Sequence, residues 1–204
     1  MKAAIHAFKY DRLHPAARGL GRMLARAISQ LAGEAPIEML VVPVPLHRTK
    51  HAERGFNQAR ALAESALRFL RKSHPQWRLA LAPSTLMRLR PTASQAGLTS
   101  HQRRLNVRGA FSVSNRAAVN SKHILLVDDI LTTGATARAA AQALVRAGAA
   151  SVWVATLARA RRVNEFYRGA SFWEDGNELA GIAANAIEAS IDSSHRSSQD
   201  QPSF

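Results

Sequence analysis

ILLVDDILTTGAT, residues 124–136, runs four apolar residues into two adjacent carboxylates and then into a hydroxyl-rich turn with one glycine. The order predicts a buried strand that delivers Asp128 and Asp129 to its carboxyl end, followed by a loop of a size to hold an anion. Residues 137–147, ARAAAQALVRA, are strong helix formers, so the loop empties into a helix whose first backbone N–H groups lack intrahelical partners. In open α/β sheets a ligand sits beyond the carboxyl ends of the strands, which is where this unit places its chemistry.

Two neighbouring carboxylates are a poor choice for structure alone, because they repel and are costly to bury. At an exposed strand end they suit a sugar diol, gripped directly or through Mg²⁺, an ion that favours hard oxygen ligands and keeps water. Thr132, Thr133, Gly134, Ala135 and Thr136 offer hydroxyls and backbone amides to a phosphate, and Gly134 permits a φ that other residues resist. A diol and a phosphate held side by side describe a ribose 5-phosphate. Phosphoacceptor receiver domains also carry an acidic pair after their first strand, but here 123 residues come before the strand. A P-loop would need GxxxxGK[ST], which the chain lacks.

Outward from this unit, residues 151–157 (SVWVATL) predict the next parallel strand, with Gly148 as the C-cap of the helix between. Upstream, MLVVPV at 39–44 predicts a strand that ends near Val42 or lies where the missing N–H groups of Pro43 and Pro45 are tolerated. A basic loop with His47, Arg48, Lys50, His51, Arg54 and Gly55 follows, and a helical pattern begins at Asn57. The strand, loop and helix repeat the central organisation with positive charge. Leu20, Met23, Leu24, Ala27, Ile28 and Leu31 recur at helical spacing, with Arg18, Arg22 and Arg26 on the opposite face. Short apolar pieces at 77–81 and 86–89 are strand candidates, 110–113 reads as a short edge strand, and 115–122 reads as a turn. Residues 88–108 are polar and basic, predicting a mobile loop and then a short helix near 101–106. Residues 3–10 suit a short helix or strand, 177–191 an alanine-rich helix, and 193–204 a disordered tail.

The 204 residues fit one domain with a substantial core. Lys and Arg number 28 against 14 Asp and Glu, a formal charge of +14 that favours phosphorylated ligands or polyanions such as single-stranded DNA. No aromatic-laced basic surface stands out, however. Cysteine is absent, which excludes disulfides, thiol catalysis and a cysteine-bound zinc within this sequence. No apolar run is long enough to span a bilayer and the first residues lack a secretory core, so cytoplasm is the expected location.

VVPVPLH at 41–47, RGFNQA at 54–59, QAGL at 95–98, RRLNVRGAF at 103–111 and LLVDDILTTGAT at 125–136 together resemble the ComF (competence protein F) family, amidophosphoribosyltransferase-like proteins of the type I phosphoribosyltransferase fold. The resemblance spans roughly residues 37–158. It implies an α/β fold with a mostly parallel sheet flanked by helices and a flexible loop over the site. It also implies three parts to the chain: an N-terminal helical segment at 1–36, the phosphoribosyltransferase-like domain at 37–192, and the tail. On this resemblance Asp128 and Asp129 face the ribose hydroxyls of phosphoribosyl pyrophosphate (PRPP) and its Mg²⁺, and residues 132–136 enclose the 5-phosphate. Arg48 and Lys50 meet pyrophosphate, Arg54, Asn57 and Gln58 shape that loop or the helix behind it, and residues 90–106 stand where the superfamily has its catalytic loop. Arg103 and Asn106 match a recurring family pair, Arg103 being a candidate catalytic cation.

Two functions follow from different classes: phosphoribosyl transfer from PRPP to an unidentified acceptor, or a non-catalytic nucleotide- or DNA-binding role beside DNA-uptake proteins. The resemblance leaves a homodimer open. Family members often begin with a four-cysteine zinc module, which this cysteine-free sequence does not contain, so partner binding through it is not assumed.

Overall fold

A computed structural model describes residues 14–91, 99–131, 133–159 and 181–184. Five strands form one parallel sheet: β1 (Glu38–Pro43), β2 (Arg78–Leu81), β5 (His123–Leu131), β6 (Ser151–Arg159) and β7 (Gly181–Ala184), in the order β2-β1-β5-β6-β7. A separate antiparallel hairpin pairs β3 (Leu86–Arg88) with β4 (Phe111–Val113). Helices α1 (His14–Ser29), α2 (Arg48–Arg54), α3 (Gln58–Ser73), α4 (Ser100–Val107) and α5 (Ala135–Arg146) complete the described elements. This is the expected α/β architecture with a parallel sheet between helices.

The sheet is covered on both faces, so its strands are apolar throughout and alternate between two cores. Met39, Val41, Leu125, Val127, Trp153, Ala155 and Leu157 pack with α1 and α3. Val42, Ile124, Leu126, Val152 and Val154 pack with α5 and with Leu86 and Phe111 of the hairpin. Period-two alternation along β1, β5 and β6 therefore explains both layers with one pattern. Helix α1 buries Leu20, Leu24, Ala27 and Ile28, with Leu31 buried in the turn just beyond it, and exposes Arg18, Arg22 and Arg26, as the spacing predicts. It approaches α3 closely at Gly21, where an added Cβ would lie 2.3 Å from the Ser65 Cβ.

Proline does not remove β1 from the sheet centre. Pro43 is its last residue and pairs in register with Val127, and the Val44 N–H then donates to the Val127 carbonyl at 2.8 Å. The ladder loses its donor only where the strand is ending.

Two expectations are corrected. The basic segment after β1 is largely helical: His47 caps α2 through its Nδ1, which accepts from the Thr49 N–H at 3.4 Å, and Gly55 closes the helix at φ 76°. Arg48 and Lys50 thus stand on a short helix. Residues 181–184, expected within an alanine-rich helix, form β7 beside β6, because a parallel edge outweighs weak helix propensity. The expectations for residues 3–10, for QAGL at 95–98 and for the tail lie outside the described residues.

Candidate functional site

Strand β5 carries the acidic pair close to its carboxyl end, next to the end of β1. Both aspartates are half-buried. Asp128 Oδ1 accepts the backbone N–H of Asp129 at 2.9 Å, and Asp129 Oδ1 accepts that of Ile130 at 2.8 Å. Side-chain alternation slips at the same place. Val127 and Ile130 both pack towards α1 and α3, while Leu126 and Leu131 both pack towards α5. Strict alternation would put Ile130 on the face of Leu126. The acidic pair occupies the slip, with one oxygen of each carboxylate drawn back onto the chain.

After the strand, Gly134 adopts φ 71°, ψ 1° and is the N-cap of α5. The left-handed conformation is open to glycine and strained for a side chain with a Cβ. The Gly134 carbonyl accepts the Arg138 N–H at 2.8 Å, closing the first turn. Gly134 has no side chain with which to cap this helix, and no acid lies in the first turn. The first-turn amides of Ala135, Thr136 and Ala137 have no intrahelical acceptor, and the helix dipole adds partial positive charge beside them. The Thr133 hydroxyl is buried without a hydrogen-bond partner among the described residues. Thr132 lies outside the described residues.

The second unit ends at the same sheet edge. The segment leaving β1 is held by Asn57, which caps α3 by accepting the Arg60 N–H at 3.2 Å and donates from Nδ2 to the Val44 carbonyl at 3.0 Å. Arg54 Nη1 reaches Gln58 Oε1 at 3.4 Å, so three residues of the RGFNQ motif brace the turn behind α2. On α2 itself Arg48 is exposed and Lys50 half-buried. Arg103 lies on α4, which Thr99 opens with a capping box to Gln102 and which packs against α5. Asn106 is half-buried on the same helix.

Sequence reasoning missed Arg88. It pairs with Phe111 across the hairpin, and its guanidinium carbon sits 5.4 Å from the Phe111 ring centre. Burial pushes the Arg88 guanidinium below its ordinary value, the Asp128 carboxylate opposes that shift, and Arg90 adds to it. Thr156 was missed as well. It stands in register with Asp128 on β6, fully buried, and its hydroxyl has no hydrogen-bond partner among the described residues. A run of short basic pieces hides the first in the sequence, and nothing in SVWVATL marks the second.

A cavity of about 670 Å³ opens elsewhere, lined by Glu38, Arg78 and His123 at the amino ends of their strands and by Arg71, His74 and Trp77. Five residues separate His123 from Asp128, about 16 Å along the strand at ~3.3 Å per residue, so this cavity is distinct from the acidic pair.

The acidic pair suits a hydrated hard cation shared with a ligand. Its donors are carboxylate oxygens, and among the described residues no group of three His, Cys, Asp or Glu gathers to cage a metal. A cation there would take Asp128 and Asp129 from the protein and complete its shell with ligand oxygens and water. Among the described residues no helix is long and apolar enough to cross a membrane.

Residues 62–169 match the phosphoribosyl transferase domain family. The chain is 34% identical over 157 residues to the DNA utilization protein YhgH of Escherichia coli (strain K12), covering 76% of this chain and 65% of that protein. It is 29% identical over 159 residues to Competence protein F of Haemophilus influenzae, covering 76% of this chain and 66% of the other. To Competence protein ComFC of Bacillus subtilis it is 36% identical over 121 residues, 59% of this chain and 44% of that one. The chain thus spans just under two thirds of the length of the first two relatives. A solved glutamine PRPP amidotransferase from B. subtilis superposes with a TM-score of 0.42 at 25% identity, over 71% of this chain and 26% of that one. The chain belongs to the phosphoribosyl transferase domain family, and within it to the competence protein F group.

Proposed function

We propose that this chain is a nucleotide- or DNA-linked accessory protein that binds the ribose 5-phosphate portion of a phosphorylated ligand, PRPP first among the candidates. The observation that carries the pocket is the unit at the end of β5: two carboxylates at a strand end, then a left-handed glycine that opens a helix without a side-chain cap of its own. In this reading Asp128 and Asp129 take the sugar hydroxyls, and the amides after Gly134 with the hydroxyls of Thr132, Thr133 and Thr136 take the phosphate. The buried Thr133 hydroxyl supports it, because an unpaired buried hydroxyl costs about 1–3 kcal/mol that a phosphate oxygen would offset. Mg²⁺ held by Asp128 and Asp129 would supply charge neutralisation for a bound diphosphate.

The DNA side rests on the relatives named for DNA utilization and competence, and on the chain's formal charge of +14. From residue 65 to residue 127 there is no acid at all. Such an excess suits a phosphate backbone, bound with strong salt dependence.

Phosphoribosyl transfer is the second reading, favoured by the family match over residues 62–169. Negative charge growing on departing pyrophosphate would be offset by Arg48, Lys50 and Arg103, and the carboxylates would hold the ribose as positive charge develops at its anomeric carbon. No protein nucleophile is needed. Calorimetry with PRPP, run beside a pyrophosphate-release assay over a panel of bases and a single-stranded DNA titration at two salt concentrations, separates the readings. PRPP binding without release, with salt-sensitive DNA binding, supports the accessory role. Release with any acceptor establishes transfer, and failure to bind PRPP or ribose 5-phosphate removes the pocket.

A further inference from the structure

The hairpin presents an arginine to the sheet where its neighbours present apolar groups. Leu86 and Phe111 enter the core shared with Leu126 and Val154, and Arg88 follows Leu86 by two residues, on the same face of β3. On the sheet beneath, Ile124 and Leu126 point into this layer, and Asp128 is held to it by its register with Thr156 of β6. Thr156, in register with Asp128, follows Val152 and Val154 on the same face. Asp128 and Thr156 thus share one sheet face at its carboxyl end, and the Asp128 charge reaches the Arg88 guanidinium held on Phe111 of the hairpin that covers this layer.

A hairpin that only covered a sheet would gain more from an apolar residue at position 88, since desolvating a guanidinium is expensive unless a carboxylate and hydrogen bonds compensate. The Phe111 ring gives that guanidinium a flat support, and the Asp128 charge favours its protonated form against burial.

We propose that Arg88 is a positioning residue for the sugar site: braced on Phe111, it holds the Asp128 carboxylate from the hairpin side in the orientation that receives the ribose hydroxyls. The proposal rests on the ribose 5-phosphate reading of the pocket and adds a residue to it. Arginine suits the task because its planar fork fixes the angle of a carboxylate, whereas a lysine supplies charge without that geometry.

The test is a double-mutant cycle on the full chain: wild type, R88A, R88K, D128N and R88A/D128N, with PRPP affinity by calorimetry and thermal unfolding without ligand. R88A is expected to weaken PRPP about tenfold, R88K to recover part of that loss, and R88A to change affinity less than about twofold in the D128N background. Should D128N bind too weakly to measure, R88K against R88A and the non-additivity of the four melting temperatures decide instead. Equal losses from R88A with and without Asp128, additive melting temperatures, or wild-type affinity in R88A overturn the role of Arg88 while leaving the pocket standing. Absence of PRPP binding by the wild type overturns pocket and positioning residue together.

Discussion

Replacing Gly134 by alanine probes the loop at its most constrained point. The residue sits at φ 71°, ψ 1°, where a Cβ costs about 1–2 kcal/mol, and an alanine cannot recover this through a less flexible unfolded chain because its preferred conformations exclude the native one. Two outcomes share that cost. If the loop keeps its shape, the chain loses about 1–2 kcal/mol of stability, which in a protein of this size lowers the melting temperature by roughly 2–8 °C. If the loop relaxes instead, the amides after residue 134 turn away, and PRPP or ribose 5-phosphate binds about 5–30-fold more weakly for the same free energy. Asparagine tolerates the left-handed region, so Gly134→Asn is expected to lose less than Gly134→Ala on the summed measure. The assay is paired: scanning calorimetry without ligand and titration calorimetry with it. Equal behaviour of the alanine and asparagine variants, or no loss in either measurement, would refute the conformational argument.

Three further outcomes follow from the packing. Gly21→Ala would normally gain helix propensity of about 1 kcal/mol, but its Cβ would meet the Ser65 Cβ at 2.3 Å, so overpacking of about 1–3 kcal/mol is expected to dominate in urea unfolding. A more stable Gly21→Ala would show that α1 and α3 part easily. Asn57→Ala is expected to cost about 1–2 kcal/mol, and Asn57→Asp to restore the cap to Arg60 but not the bond to the Val44 carbonyl, since a carboxylate cannot donate. Full recovery by aspartate in chemical denaturation would show that the Val44 bond contributes nothing. Leu126→Ala, at a position with 0% exposure beneath the acidic pair, is expected to lose about 2–5 kcal/mol by the same method, and a loss below 1 would mean that the second core is loosely packed.

What the sequence disclosed depended on how local the cause was. The strand, acid pair, glycine and helix of 124–147 are contiguous and each step follows from its own residues, so their order and the special φ of Gly134 were legible. Helix α2 was not, because none of its residues is buried and no apolar period marks it; its order comes from the His47 cap and the Gly55 stop. Strand β7 was misread because GIAA suits either state and only the edge of β6 decides. Arg88 and Thr156 were invisible for a third reason: each acquires its meaning from Asp128, a residue 40 positions after the first and 28 before the second, and only the folded sheet brings them together.

The most direct measurement is titration calorimetry of PRPP, with ribose 5-phosphate as the simpler probe, into wild type and into the doubly neutralised D128N/D129N variant. Saturable binding by the wild type and its loss in a variant that still melts cooperatively is the predicted result. Undiminished binding by D128N/D129N, or no binding by the wild type, would contradict the ribose site at the end of β5.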